Sequence, residues 1–425
     1  MRYSHYKPTG IAWLPEIPEG WEMVKVGYCF DENGSGTTPA SGVPEYYDGV
    51  TNWVQSGDLH GDAIYTTKKT VTEKALDDYS LKIFQPPFIC MAMYGASIAN
   101  VSVVRISACT NQACCVLAKN RETTNLDYLY RCLSSMSVRQ VLLLKAQGGT
   151  QPNINRGDVL ATRIPLPPLS IQRAIVAFLD EKCGKVNRLV AAKEKEVVLL
   201  RELKQSMIAE AVTRGVRTNR RLVPSGIPWL PEVPEGWEVL RLKWILNEIK
   251  NLSTTGEELP LSLTASNGLI PFSEKANRTM ESASYVGAKI VEQGQIVFNR
   301  FKARLFAVAP CRGLVSPDYA VYSTKTDIEK QYLLALFATA QFRQAMNNQA
   351  SGIGDGFSRL YSSELFKLNI PVPPLAEQRE IVAHIEARAA KMDAAVAGLE
   401  RGIAALKEYK QRLIADVVTG QRRVA

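Results

Sequence analysis

The amino-acid sequence predicts an α+β protein in which two globular modules of different sequence are carried on a frame that occurs twice. The frame is visible as two repeated blocks. Residues 8–22 recur at 224–238 with twelve of fifteen positions identical, and residues 164–177 recur at 370–383 with ten of fourteen identical. Each copy of the second block leads into more than forty residues without proline, in which apolar residues recur at helical spacing. Internal repetition of this kind indicates one structural unit used twice.

The sequence between the repeated blocks predicts short strands followed by a helix in each module, which is typical of α+β folds. The predicted strands are 53–54, 88–91 and 101–105 in the first module, and 295–298, 306–309 and 319–322 in the second. The predicted helices are 126–144 and 329–346. A shared frame with unlike inserts indicates two sites of different specificity. Duplication followed by drift without function is the alternative.

The two proline-free segments predict helices of about 45 residues, or roughly 65 Å at 1.5 Å per residue. Each has one narrow apolar stripe with a period near 3.5, which is the pattern of a coiled-coil seam. We expect the two helices to pair antiparallel within the chain; the alternative is that each packs on its own module. The predicted seam consists of Leu179, Val186, Val190, Val197, Leu200, Met207 and Ala211 in the first helix, and Ile385, Met392, Val396, Ile403, Leu406, Leu413 and Val417 in the second.

These features divide the chain into five parts. They are an arm with the first module (1–163), the first spacer helix (164–213), a linker with the repeated arm (214–239), the second module (240–369), and the second spacer helix with its tail (370–425). Arginines in the linker and in the tail are expected to be either solvated or in contact with phosphate.

The composition favours a polyanionic partner, because 51 Lys and Arg residues against 42 Asp and Glu residues give a net charge of +9. No run of 18 apolar residues and no signal peptide is visible, so we expect a cytoplasmic protein without a membrane span. Eight cysteines without a Cys-x-x-Cys pair, together with three histidines, predict buried reduced thiols and no metal site.

Polar loops in both modules contain residue types that read base edges. Arg can bond two acceptor atoms of guanine, and Asn or Gln can bond two atoms of adenine. An ordinary surface loop is the alternative for each of these residues. The candidates are Thr150, Gln151, Asn153, Asn155 and Arg156 in the first module, and Asn299, Arg300, Lys302, Arg304, Ser358 and Arg359 in the second.

No motif for catalysis is complete. Gln85-Pro86-Pro87-Phe88 is similar to the Asn/Asp-Pro-Pro-Phe/Tyr element of adenine methyltransferases, but Gln replaces the usual first residue and no glycine-rich cofactor loop accompanies it. A turn leading into a strand explains the same residues. The phosphate-binding Gly-x-x-x-x-Gly-Lys-Ser/Thr loop is absent as well. We therefore expect no catalytic residue in this chain.

The whole pattern resembles the specificity subunits of type I restriction–modification systems. The resemblance lies in the Gly-Trp-Glu of both arms, in the Ile-Pro-x-Pro-Pro openings at Ile164 and Ile370, and in short motifs of both modules, namely 53–58, 94–96, 110–112 and 313–319. On this resemblance, further DNA-contacting candidates are Ser56, Tyr94, Ser97, Gln112, Ser316 and Tyr319.

The resemblance implies a DNA-reading subunit without chemistry of its own. Each module would read one half of a split, asymmetric site in double-stranded DNA, and the helices would set the gap. The helices would also dock two methyltransferase subunits, and the full complex would add two restriction subunits. S-adenosylmethionine would be held by the methyltransferase, and ATP and Mg by the restriction subunit, with no cofactor in this chain. The alternatives are the recognition part of a self-contained restriction–methylation enzyme and a coiled-coil adaptor.

Overall fold

The computed structural model describes residues 2–61, 63–147, 152–265, 267–275, 284–301, 305–352 and 358–424. The chain divides into two compact units. The first unit comprises residues 1–194 and 401–425, and the second unit comprises residues 195–400. Each unit therefore contains one module together with part of each long helix.

The first unit contains the N-terminal arm, the first module, the first part of one long helix and the last part of the other. Its strands are β1 (Tyr6–Ile11), β2 (Leu14–Pro18), β3 (Glu22–Lys25), β4 (Phe30–Gly34), β5 (Tyr47–Val54), β6 (Lys69–Val71), β7 (Phe88–Ala92), β8 (Val101–Val104), β9 (Ala108–Thr110), β10 (Cys114–Asn120) and β11 (Arg163–Leu166). Its helices are α1 (Glu73–Asp78), α2 (Leu126–Leu133), α3 (Met136–Leu144), α4 (Arg156–Ala161) and α5 (Leu169–Arg214).

The second unit contains the repeated arm and the second module. Its strands are β12 (Leu222–Ile227), β13 (Leu230–Pro234), β14 (Glu238–Arg241), β15 (Leu246–Ile249), β16 (Leu261–Thr264), β17 (Gly268–Pro271), β18 (Lys289–Val291), β19 (Ile296–Asn299), β20 (Phe306–Val308), β21 (Gly313–Val315), β22 (Tyr319–Thr324), β23 (Ser351–Gly352), β24 (Ser358–Arg359) and β25 (Asn369–Val372). Its helices are α6 (Leu242–Ile245), α7 (Lys330–Ala338), α8 (Ala340–Gln349), α9 (Ser362–Leu365) and α10 (Leu375–Val418), the last of which ends in the first unit.

The two modules share a four-stranded antiparallel sheet although their sequences are unlike. Its order is β4-β10-β7-β8 in the first module and β15-β22-β19-β20 in the second, so that equivalent strands follow each other in the same way. Strand β7 is buried on both faces, and β19 is buried at Ile296, Val297 and Phe298. An apolar sheet buried on both sides forms the core of each module, which many apolar sequences can fill.

The peripheral strands differ between the modules. In the first module β5 pairs with β9 in parallel and with β6 antiparallel. In the second module β18 pairs with β21 antiparallel, and β16 with β17 form a separate hairpin. The loops of the two modules are therefore held by different strands around a common core.

Two consecutive helices occupy each predicted helical segment. The helical stretch predicted at 126–144 consists of α2 and α3, and the prediction of a single helix at 329–346 was wrong, because α7 and α8 lie there. The Ser135 side chain accepts a hydrogen bond from the Val138 amide and starts α3. Thr339 accepts one from the Phe342 amide and starts α8. A hydroxyl residue at the N-cap satisfies an amide that begins a new helix, which is why the chain turns there.

The long helices α5 and α10 pair antiparallel in both units, which confirms the predicted coiled coil. In the first unit Lys410 Nζ donates to Asn187 at 2.9 Å and Lys407 Nζ contacts Glu194 at 2.9 Å. In the second unit Arg201 binds Glu400 at 2.7 Å. Residue numbers rise along α5 as those of its partners fall along α10, which is the order of antiparallel helices.

The predicted seam residues are all buried or half-buried in the structure, whereas neighbouring apolar residues such as Leu189 are exposed. Replacing Leu179, which is fully buried, with Ala should therefore lower the free energy of unfolding by about 2–5 kcal/mol, because a cavity remains. Leu189→Ala removes the same atoms from a side chain that is 52% exposed. It should change the free energy of unfolding by less than about 0.5 kcal/mol. Urea unfolding measures both, and equal losses would contradict the assignment of the seam.

Equivalent hydrogen bonds join each module to the repeated frame. The Tyr128 hydroxyl donates to the carbonyls of Pro165 (2.7 Å) and Val418 (3.3 Å), whereas the Tyr332 hydroxyl donates to those of Pro371 and Val212 (3.0 Å each). Each module is thus fixed both to the strand that precedes its own helix and to the end of the other helix. Because the frame repeats its hydrogen bonds as well as its residues, it is one structural unit used twice.

Two arginines of the linker are tied to the second long helix. Arg217 binds Glu380 through two nitrogens at 2.7 and 2.9 Å, and Arg220 binds Glu377, whose side chain is 2% exposed. Arg217 nevertheless remains 49% exposed and Arg220 26% exposed, so the expectation that the linker arginines are either solvated or in contact with phosphate stays a prediction.

The cysteines are free thiols, and all are buried except the half-buried Cys311. Burial raises the pKa of Cys29 and of Cys109 to about 11 and that of Cys115 to about 12, so these thiols are neutral at pH 7. Among the described residues, no helix is long and apolar enough to cross a membrane. Over the same residues, no group of three His, Cys, Asp or Glu side chains could hold a metal ion.

Candidate nucleic-acid interface

In the first module, two candidate residues follow strands that end at the same edge. Strands β5 and β9 are parallel with Val54 opposite Thr110, and the Asn111 amide donates to the Val54 carbonyl at 3.1 Å. Ser56 follows β5 and Gln112 follows β9. Because parallel strands run in one direction, the loops that carry these two residues leave the sheet side by side.

Tyr94 and Asn153 meet where the core strand β7 ends. They form a β-bridge, the Ile154 amide donates to the Met93 carbonyl at 2.7 Å, and the Met93 amide donates to the Ala113 carbonyl at 2.8 Å. A pocket of about 420 Å³ opens there, lined by residues 93–94 and 153–156. Partial burial raises the pKa of Tyr94, so its hydroxyl is neutral and can donate or accept.

The polar groups of this module differ in how far they are already engaged. Asn155 caps α4 with its side-chain oxygen, which accepts from the Asp158 amide at 2.8 Å, and the Gln112 side-chain oxygen accepts from Thr38. Ser97 lies in a turn in which its carbonyl accepts from the Asn100 amide at 2.8 Å. Asn153 and Arg156 are exposed. Gln112 and Asn155 are exposed as well, but Asn153 and Arg156 differ from them in forming no side-chain hydrogen bond within the described residues.

In the second module, the candidate residues gather around Arg359. Its guanidinium lies 4.7 Å from the centre of the Phe301 ring and 3.3 Å from Asp318 Oδ1. The Asp318 amide donates to Ser316 Oγ at 3.3 Å, and Ser358 precedes Arg359 in β24. Stacking on an aromatic ring and pairing with a carboxylate orient the guanidinium plane, which bidentate recognition of a base requires.

Asn299, Arg300 and Tyr319 lie beneath this group. The Asn299 side-chain oxygen accepts from the Phe301 amide at 2.9 Å, and Asn299 lies opposite Tyr319 in the sheet. Burial, followed by the nearby Asp318 charge, raises the pKa of Tyr319. Arg300 is paired with Glu248 and is 18% exposed. Its side chain is thus held inside the module, so that any contact with bases would involve its neighbours first.

Four candidates, Thr150, Gln151, Lys302 and Arg304, lie outside the described residues. Reasoning from the sequence missed Phe301, Asp318, Glu248 and Lys289, which shape the site of the second module. Phe301 stands between two basic candidates in the sequence Arg300-Phe-Lys302, and an aromatic residue between cations is a signal for nucleic-acid contact. Glu248 lies in the sequence Asn-Glu-Ile-Lys and Lys289 in Ala-Lys-Ile-Val, and neither pattern distinguishes the residue from an ordinary surface charge.

The Gln85-Pro86-Pro87-Phe88 element is a turn into the core. The Gln85 side-chain oxygen accepts from Ser107 Oγ at 3.0 Å, and Phe88 is fully buried at the start of β7. A buried Phe88 has no face left for stacking on a base. The structure thus favours the interpretation of this element as a turn.

The fold and the sites together define a class of protein: two α+β modules with a common core and different polar loops, on an antiparallel coiled coil within one chain. The model of the family described as "Type I restriction modification DNA specificity domain" matches residues 18–198 and 234–393. The chain belongs to this family, and it is a type I restriction–modification DNA specificity subunit.

Relatives match over nearly the full length of the chain. The type I restriction enzyme MjaIX specificity subunit of Methanocaldococcus jannaschii is 21% identical, over 99% of this chain and 97% of the relative. The EcoKI specificity subunit of Escherichia coli K12 is 23% identical, over 96% of this chain and 90% of the relative.

Solved structures share the fold. A chain from a study of complex assembly and conformational transition of the type I R-M system has a TM-score of 0.71 at 19% identity, and covers 96% of this chain and 99% of its own. The HsdS subunit from Thermoanaerobacter tengcongensis has a TM-score of 0.52 at 20% identity, and covers 96% of this chain and 98% of its own. The predicted fold class is thereby confirmed.

Proposed function

We propose that each module reads one half of a bipartite, asymmetric site in double-stranded DNA. The observation that carries the proposal is the common four-stranded sheet with different peripheral strands and loops. The shared sheet supports the loops in the same way in both modules, and the unlike loops present different donors and acceptors to the bases. In the first module these are Tyr94, Asn153 and Arg156, and in the second they are Arg359 and its neighbours.

The coiled coil sets the gap between the half-sites and docks two methyltransferase subunits. The supporting observation is that α5 and α10 pair in both units along a buried seam, which gives a stiff spacer with charged outer faces. In this proposal S-adenosylmethionine belongs to the methyltransferase. ATP and Mg belong to the two restriction subunits of the full complex. This chain contributes recognition and no catalytic residue.

The proposal is tested by co-expressing the chain with its methyltransferase and mapping modified adenines across the host genome. We expect one motif with two short, unlike halves at a fixed gap, whose centres lie about one helical turn apart because both halves are read from one face of the duplex. Expression of the methyltransferase alone is the control, and should give no such motif. Modification without sequence preference would contradict the reading function and favour an adaptor role.

A further inference from the structure

A second polar pocket lies in the second module, next to the group around Arg359. It has a volume of about 480 Å³ and opens between the end of β15 and the short helix α9. Three cationic residues, Lys250, Lys289 and Arg300, line it together with one carboxylate, that of Glu248. The lining thus has an excess of two positive charges, in a place that is partly closed to water.

One of the cations, Lys289, is buried, which is rare for a basic residue, and Arg300 is half-buried with 18% of its side chain exposed. Lys289 is 8% exposed, and its ammonium donates to the Tyr319 carbonyl, which is neutral. Burial, followed by the charge of Arg300, lowers the pKa of Lys289. The charged form of Lys289 is therefore under-compensated in the free protein, and an anion beside it would favour that form.

Arg300 also has donor capacity left. One terminal nitrogen serves both Glu248 and Ser362 Oγ, the latter at 3.4 Å, while Nε is buried without a hydrogen-bond partner among the described residues. Ser362 is itself buried, and its hydroxyl lies 2.9 Å from that of Tyr322. An unpaired guanidinium nitrogen at such a depth costs free energy that an anion with several oxygens would recover.

We propose that this pocket binds a single phosphate of the DNA backbone beside the second half-site. This inference rests on the proposed DNA-reading function. Arg and Lys donors around a small pocket match a phosphate group, whose oxygens accept from several directions. The mouth of the pocket carries exposed Lys250 and Tyr361, and Arg359, a predicted base reader, is two residues from Tyr361. A phosphate held here would fix the register of the module, and neighbouring side chains would read the bases.

The substitution that tests the pocket is Lys289→Met, because Met keeps the length of the stem and suits a buried position. Lys250→Met is a second variant at an exposed position that should not disturb folding. Lys367→Met is the matched control, since it removes one charge from the same unit at a side chain that is 63% exposed and lies outside this pocket.

Binding of the full chain with its methyltransferase to target DNA is measured by anisotropy at several salt concentrations. For Lys289→Met we expect the slope of log affinity against log salt to fall by about one, with cognate and non-cognate DNA weakened alike. The slope for Lys367→Met should stay unchanged. Equal slopes for Lys289→Met and Lys367→Met, or a changed base preference, would overturn the phosphate assignment.

Duplexes with a single methylphosphonate linkage locate the phosphate. One linkage near the second half-site should weaken binding by the unchanged chain, and should have no further effect on Lys289→Met or Lys250→Met. If every linkage acts on the variants as it acts on the unchanged chain, the pocket holds no backbone phosphate.

Titration with inorganic phosphate distinguishes the two possible sources of the anion. If Lys289→Met abolishes binding of inorganic phosphate but leaves the DNA salt slope intact, the pocket is a site for a free anion, and the DNA assignment is wrong. The proposed function fails by a different result, namely an unchanged chain that binds all DNA sequences alike. A slope difference at Lys289 would then still support the pocket.

Discussion

A chain in which residues 24–163 replace residues 240–369 should direct methylation to a symmetric target. Both halves of that target should be the original first half-site, in inverted orientation, because the repeated frame is joined to antiparallel helices. The structure supplies the cut points. Val24 pairs with Ile164 in β3 and β11, and Leu240 pairs with Ile370 in β14 and β25, so that each module leaves the frame at an equivalent pair of strands.

The expected effect is large. A mismatched base pair costs about 1–3 kcal/mol, so a half-site of several base pairs that no longer matches should lose modification by at least a thousandfold. Genome-wide mapping of methylated adenines measures the loss of the natural target and the gain of the symmetric one together.

The reciprocal graft, with 240–369 in both places, is the matched control and should give an inverted repeat of the second half-site. Persistence of the natural asymmetric target in either graft would refute modular reading. If a grafted chain altered both half-sites to sequences found in neither parent, the specificity would belong to the assembled chain as a whole.

The sequence predicted the frame well because the frame is local and repetitive. Prolines before each helix and the 3.5-residue period predict where α5 and α10 begin and which face is buried, and the repeated Gly-Trp-Glu marks the two copies of the arm. The helix breaks at Ser135 and Thr339 were missed, although both are good N-cap residues, since the apolar pattern continues across them. A Ser or Thr inside an apolar pattern ends one helix and starts another only when packing gives the second helix a different direction. That packing depends on the rest of the module.

The common core of the modules was hidden from sequence comparison. It is defined by strand order and by backbone hydrogen bonds such as those from Ile154 to Met93 and from Leu360 to Arg300, which any side chain permits. Residues that are far apart in the sequence also contact each other, and residue spacing along the chain does not predict these contacts. Arg300 looked like a free loop cation, but Glu248, 52 positions earlier, holds it, and the burial of Lys289 follows only from the pairing of β18 with β21.

Insertion of seven residues into each long helix should change the gap that the protein accepts. A heptad keeps the apolar seam in phase and lengthens a helix by about 10 Å, which corresponds to about three base pairs of duplex. The insertions belong after Val197 in α5 and between Glu400 and Lys407 in α10, in segments bounded by the Arg201–Glu400 and Glu194–Lys407 ion pairs. The natural gap should lose at least about tenfold in modification, because one half-site is then out of reach.

The lengthened chain should instead direct methylation to targets with a longer gap. This methylation should be slower than that of the natural target by the unchanged chain. Three added base pairs turn the duplex by about 100°, so that one module must follow a half-site that has moved around the helix axis. In the control, the inserted heptad replaces seven residues of each helix without a change of length, and the natural gap should be kept. A lengthened chain that still selects the natural gap would show that the modules, and not the coiled coil, determine the distance between the half-sites.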